Sequence, residues 1–259
     1  MLNPVLNQYE LTKSSRIFLS ARWEYLAMFN YTVDPQILQK HVPPGTEIDY
    51  FDGKALVSIV GFLFNDTRVL GIRWPFHVNF EEANLRYYIK RFDGTRWKRG
   101  VGFVSEIVPK PFVATLANLF YNEHYSTAKM GHQVVEKPDN LFVEYSWKQR
   151  NQHRNVIRVN ATPELQEIKN GSAAEFIFEH YFGYNQLTAT STIEYAVAHP
   201  RWKIYPVTSF SIDCDIERLY GKEFVPFITD KQPHSVFLAR GSSVTVKMPL
   251  KIRGIKSSG

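Results

Sequence analysis

FEEANLRYYIK, residues 80–90, is the stretch from which the fold is read. Successive residues of a strand point to opposite faces, so Glu82, Asn84, Arg86 and Tyr88 share one face and Ala83, Leu85, Tyr87 and Ile89 the other. The second set is apolar and suits a core. The polar set faces either solvent, as an outward Glu and Arg four residues apart, or an interior cavity. In a cavity the carboxylate and guanidinium compensate each other, and Asn and Tyr meet the remaining donors and acceptors, as buried polar groups require. Such a face would hold a carboxylate or carbonyl compound through Arg86, with Glu82 as acid or base.

Working outward, the stretch turns through residues 92–100 into VGFVSEIV (101–108), a hairpin. Upstream, EIDYFDGKALVSIVGFLF (47–64) sets the turn-forming Asp52-Gly53 between two strand-like runs, and Thr67 to Phe76 reads as a loop. SARWEYLAMFNYTV (20–33) reads as a strand. DPQILQKHVPPG (34–45) reads as a short helix capped by Asp34, opened by Pro35 and stopped by Pro43-Pro44-Gly45. PFVATLANLFYNE (111–123) places Val113, Leu116, Ala117 and Phe120 at helical spacing after a proline. LFVEYSWKQ (141–149), NVIRVNAT (155–162), EFIFEHYFGYN (175–185) and 188–198 read as strands. A short helix over 213–220 ends at Gly221, and SVFLARG (235–241) and SSVTVKMPL (242–250) are the last strands. Strands joined by short turns predict a mainly β (α+β), antiparallel domain over 16–252, with residues 1–15 as a flexible arm.

The 259 residues, 44% of them hydrophobic, suffice for one large core, and 19 Phe, 14 Tyr and 5 Trp favour pleated surfaces over helical bundles. The net charge of +6 is scattered; its longest basic groupings are Lys90-Arg91 and Trp97-Lys98-Arg99, which points away from nucleic acid. Cys214 is the only cysteine, so there is no internal disulfide, and Asp213 and Asp215 flank it against thiolate formation. The N-terminal residues carry no secretory pattern, and no apolar run has membrane-spanning length. A cytoplasmic protein without membrane contact is expected.

Other polar candidates are His124, Tyr125, Glu179, His180, Tyr181 and the His199-Pro200-Arg201-Trp202 turn. No His-x-His or HExxH spacing occurs, so no metal is expected. The absence of a G-x-G-x-x-G, a Walker A or a G-x-S-x-G sequence argues against nucleotide-dependent and α/β-hydrolase chemistry, and no cofactor is expected.

Taken in order, the W-x-x-L at Trp23, VDPQILQKHVPPGTEID, DGKALVSIVGF, F-x-E-x-N-x-R-x-Y at Phe80 to Tyr88, GVGFVSEI, YNEHYSTAKM, EFIFEHYFGY, AHPRW and LARGSSVTV resemble the DUF2071 (YqjF-like) family. That family is related to the acetoacetate decarboxylase-like superfamily, and the resemblance spans roughly residues 18–250. It implies a closed or conical antiparallel β-barrel with peripheral helices and a pocket inside, lined by Glu82, Asn84 and Arg86. The decarboxylase's lysine, made nucleophilic by a neighbouring cation, has no counterpart here. The matching stretch reads His124-Tyr125-Ser126-Thr127, no Lys-Lys pair exists, and Thr32 stands where the superfamily has an arginine. The nearest amine, Lys129, is offset by two or three residues.

Two classes of function remain. In one, the protein is a binding or sensing module for a small carboxylate- or carbonyl-bearing or partly apolar metabolite. In the other it is an enzyme on such a metabolite, with Glu82 and Arg86 as reacting groups. Asn84, Tyr88, Tyr125, Glu179, His199 and Trp202 are the expected binding groups. Exposed edge strands and the superfamily's habit allow a homo-oligomer.

Overall fold

A computed structural model describes residues 16–122, 125–149 and 153–253; the expected N-terminal arm and His124 lie outside them. Five strands come first: β1 (Ile17–Val33), β2 (Glu47–Ile48), β3 (Ala55–Val69), β4 (Phe80–Phe92) and β5 (Trp97–Val108). The short helix α1 (Pro35–Leu38) follows β1, with the Asp34 carboxylate accepting from Gln36 N at 2.8 Å, as its sequence predicts. Helix α2 (Pro111–Tyr121) opens on its proline, ends at Asn122 in the left-handed region, and leads to β6 (Tyr125–Thr127) and β7 (Lys129–Glu136). Next come β8 (Leu141–Lys148), β9 (Asn155–Ala161), β10 (Gln166–Glu167), helix α3 (Ala173–Phe178), β11 (Phe182–Thr188) and β12 (Ser191–Ala198). The chain closes with β13 (Lys203–Tyr205), β14 (Val207–Asp213), helices α4 (Ile216–Tyr220) and α5 (Val225–Ile228), β15 (Ser235–Lys247) and β16 (Leu250–Arg253).

Seven strands form a ring in the order β15-β1-β3-β4-β5-β11-β12, which returns to β15. All the pairings are antiparallel except β5 with β11. Two of the joints are short. Phe182 and Gly183 pair with Gly100 and Val101, and Val197 and Ala198 pair with Val246 and Thr245. A second sheet, β14-β9-β8-β7, covers the outer face of β1, β3 and β4. Leu85, Tyr87 and Ile89 are buried there in one cluster with Tyr145, Trp147 and Ile157. Gly61 marks the closest approach, since a Cβ at that position would lie 2.7 Å from the Tyr145 ring. The inner face of the ring carries a second cluster that includes Phe62, Phe64, Tyr88 and Phe178.

Several expectations are corrected. EFIFEH does not extend as a strand: Ala173–Phe178 is helical and the strand begins only at Phe182. Ser172 accepts from Glu175 N at 3.2 Å while Glu175 accepts from Gly171 N at 2.7 Å, a reciprocal cap that outweighs the strand preference of Phe and Ile. The Asp52-Gly53 turn forms, bridging Phe51 and Lys54, but Glu47–Ile48 pairs with β4 and not with β3. β3 continues to Val69, three residues into the expected loop, and YST of YNEHYSTAKM is strand β6. The two final strands are one, β15, passing through Gly241 at φ 81°. There it lies against Trp23 O so closely that a Cβ would sit 1.9 Å from that oxygen. Among the described residues, no helix is long and apolar enough to cross a membrane.

Candidate functional site

The ring encloses a cavity of about 120 Å³. A cavity of about 150 Å³ in another protein holds benzene, so this space suits a molecule of a few heavy atoms. Its wall is mostly apolar, with Phe62, Phe64, Val101 and Phe178 prominent, and into it project Glu82, Asn84, Arg86, Tyr125, His180 and His199. The polar face of β4 therefore points inward.

Glu82 is 3% exposed. Asn84 Nδ2 donates to its Oε1 at 2.8 Å, and Tyr125 OH donates to its Oε2 at 2.9 Å. Burial pushes its pKa up to about 7, against the opposing pull of those two hydrogen bonds and the Arg86 charge. The carboxyl thus exchanges its proton near neutrality, the property of an acid–base group.

Arg86 is held by donation from Nε to Tyr88 OH (3.3 Å) and from Nη2 to Ile177 O (2.9 Å) at the end of α3. The Tyr88 hydroxyl lies 2.5 Å from Ser58 Oγ, which donates to Asn30. No carboxylate among the described residues forms an ion pair with Arg86. The guanidinium is braced by neutral groups, and the Glu82 carboxyl is near enough to feel its charge.

Beside Tyr88 of β4, with ring centres 4.9 Å apart, His180 is 8% exposed, and its Nε2 donates to Asp49 Oδ2 at 3.2 Å. Arg99 Nε donates to the same oxygen at 2.6 Å. Burial acts to raise the Asp49 pKa, but His180 and Arg99 outweigh it and hold the carboxyl below its usual range. Burial, aided by the charges of Arg99 and Arg86, lowers the His180 pKa to about 4 despite the aspartate, so the ring is neutral at pH 7. With the proton on Nε2, its Nδ1 is a bare acceptor, and it has no partner among the described residues. Asn84 Oδ1 and Trp23 Nε1, on two further lining residues, are likewise buried without partners. His199 donates from Nδ1 to Pro200 O at 2.9 Å and stacks on Trp202 with ring centres 4.0 Å apart; burial lowers its pKa to about 4.

Of the residues expected from sequence, Glu82, Asn84, Arg86, Tyr125, His199 and Trp202 line the cavity together. Tyr88 does not line it and stands behind Arg86 as a brace. Glu179 does not line it either: just beyond α3, it accepts from Tyr181 OH at 2.6 Å. Its neighbour His180 lines the cavity, and the sequence reading gave it no site role. Trp23 enters the sequence pattern only through its W-x-x-L motif, and Asp49 only inside VDPQILQKHVPPGTEID; Asp49 lies 131 positions from His180, and no local pattern joins them. Lys129 borders a separate surface depression with Thr127 and Lys148, and no described lysine lines the ring cavity.

A closed β ring around a partly polar cavity defines the acetoacetate decarboxylase-like fold, and solved structures of that class superpose on it. An acetoacetate decarboxylase from Legionella pneumophila matches with a TM-score of 0.60 at 12% identity, covering 93% of this chain and 89% of that one. The enduracididine biosynthesis enzyme MppR complexed with pyruvate matches with 0.61 at 12% identity, covering 95% and 93%. An acetoacetate decarboxylase-like enzyme from Sphingomonas wittichii RW1 matches with 0.60 at 11% identity, covering 93% and 95%. At such identities the likeness is one of fold. The chain belongs to the DUF2071 family of uncharacterized conserved proteins, whose family model matches residues 20–243. No curated protein matches it in sequence.

Proposed function

We propose that the ring cavity binds a small organic acid or carbonyl compound, with Arg86 receiving the anionic or polar end and the aromatic wall enclosing the remainder. The observation that carries this reading is the Arg86 guanidinium. It lines the cavity, fixed by a phenol and a backbone carbonyl, with no carboxylate paired to it among the described residues. A charge kept in such a place is an anion site awaiting its partner. Pyruvate, found with the similarly folded MppR, belongs to this chemical class. The single cysteine fits a cytoplasmic setting. The test is mass spectrometry of small molecules released from the natively purified protein. An acid or carbonyl compound present in wild type and absent from Arg86→Gln supports the reading; the same compound retained by Arg86→Gln refutes it.

Glu82 favours a second reading, in which the bound compound also reacts. A carboxyl titrating at about 7 beside the anion site is placed for general acid–base work. In that case Glu82→Gln keeps ligand affinity and loses turnover. Schiff-base decarboxylation is disfavoured, since no described lysine lines the cavity. Borohydride treatment with a keto acid is expected to leave no adduct, and an adduct on Lys129 would reverse this.

A further inference from the structure

We infer that the cavity selects a short-chain hydroxy acid, its carboxylate on Arg86 and its hydroxyl donating to His180 Nδ1, with Asp49 as the residue that positions His180. The inference rests on the anion-binding reading of Arg86 and adds the second point of recognition. Asp49 can only accept from His180, so it fixes the imidazole with the proton on Nε2 and the lone pair on Nδ1. Arg99 fixes Asp49 in turn. The outcome is a buried, oriented acceptor on a residue of the cavity wall that no described residue satisfies, with a second unmet acceptor on Asn84 and an unmet donor on Trp23.

Two acceptors call for a ligand that brings a donor. A keto acid or a plain carboxylate at neutral pH carries acceptors alone and leaves both unmet. A hydroxyl has one hydrogen to give and gives it to His180 Nδ1, while the carboxylate takes Arg86 and the Trp23 N–H. An ammonium group would donate too, but it would add a cation to an interior that already holds the Arg86 and Arg99 charges near His180.

Isothermal titration of the full-length protein with butyrate, 2-oxobutyrate, 2-hydroxybutyrate, 3-hydroxybutyrate and 2-aminobutyrate separates these cases. One hydroxy acid is expected to bind roughly ten- to a hundredfold tighter than butyrate, the cost of leaving a buried acceptor unmet. In ¹⁵N spectra, His180 Nδ1 should shift on addition of that hydroxy acid and not of butyrate. His180→Phe should bring the hydroxy acid down to the affinity that the same variant shows for butyrate. Equal binding of the hydroxy, oxo and plain acids, all lost in Arg86→Gln, overturns the role of His180 and leaves the anion site standing. Tightest binding by the amino acid overturns the hydroxy-acid assignment. Failure of all five to bind removes the anion site and this inference together.

Discussion

The two faces of β4 are buried to a similar depth and do opposite things. On one, Leu85, Tyr87 and Ile89 are packed against Tyr145, Trp147 and Ile157, and the Tyr87 hydroxyl is spent on His41 O. On the other, Glu82, Asn84 and Arg86 border a cavity, and Asn84 Oδ1 has no partner among the described residues. Burial alone therefore does not tell a core from a candidate site. The difference lies in what is left unsatisfied. A packed face is complete in itself, whereas a ligand face keeps polar atoms and space that only another molecule can fill.

The sharpest way to break this comparison is to damage each face in turn. Leu85→Ala removes a fully buried side chain from the packed face and is expected to cost about 2–5 kcal/mol in chemical denaturation, without altering the cavity's polar groups. Glu82→Gln on the other face acts through pH. With a folded pKa of about 7 against 4.5 unfolded, the Glu82 contribution is fully present below pH 4.5 and is lost as pH rises through 7. Above that range wild type should be less stable than Glu82→Gln by about 3 kcal/mol, and the two should converge below pH 4.5. His180 and His199 vary oppositely, their contribution present above 6.5 and lost as pH falls through 4, but both proteins share them. A pH-independent difference between the two denaturation curves would place the Glu82 carboxyl in solvent. Gly61→Ala forces a methyl group into the Tyr145 ring and should cost about 1–3 kcal/mol in thermal melting, with ligand binding preserved. Lys129→Ala, on the second sheet and exposed, should change neither stability nor ligand binding measurably.

The strand at 80–90 shows how far sequence reaches. Period-two alternation separated its two faces correctly, but it left open which one the chain closes around. That was decided by ring closure through β11, β12 and β15, elements more than 90 residues downstream. Local signals served well where the physics is local, as in the Asp34 cap and the proline that opens α2. The Ser172-x-x-Glu175 spacing was equally local, but the aromatic run after it read as strand. The Asp49–His180 pair has no local signature, because only the tertiary path sets the two residues side by side.

The short joints of the ring have a consequence for traffic. The β11–β12 hairpin contributes Phe182, Gly183 and Val197 to the cavity wall, and two paired residues at each flank fasten it to β5 and β15. β1, β3 and β4 are instead laced together along most of their length. The flanks of the hairpin are therefore where local opening of the wall is expected first, although Glu194 of β12 also pairs with Arg91 and Lys98.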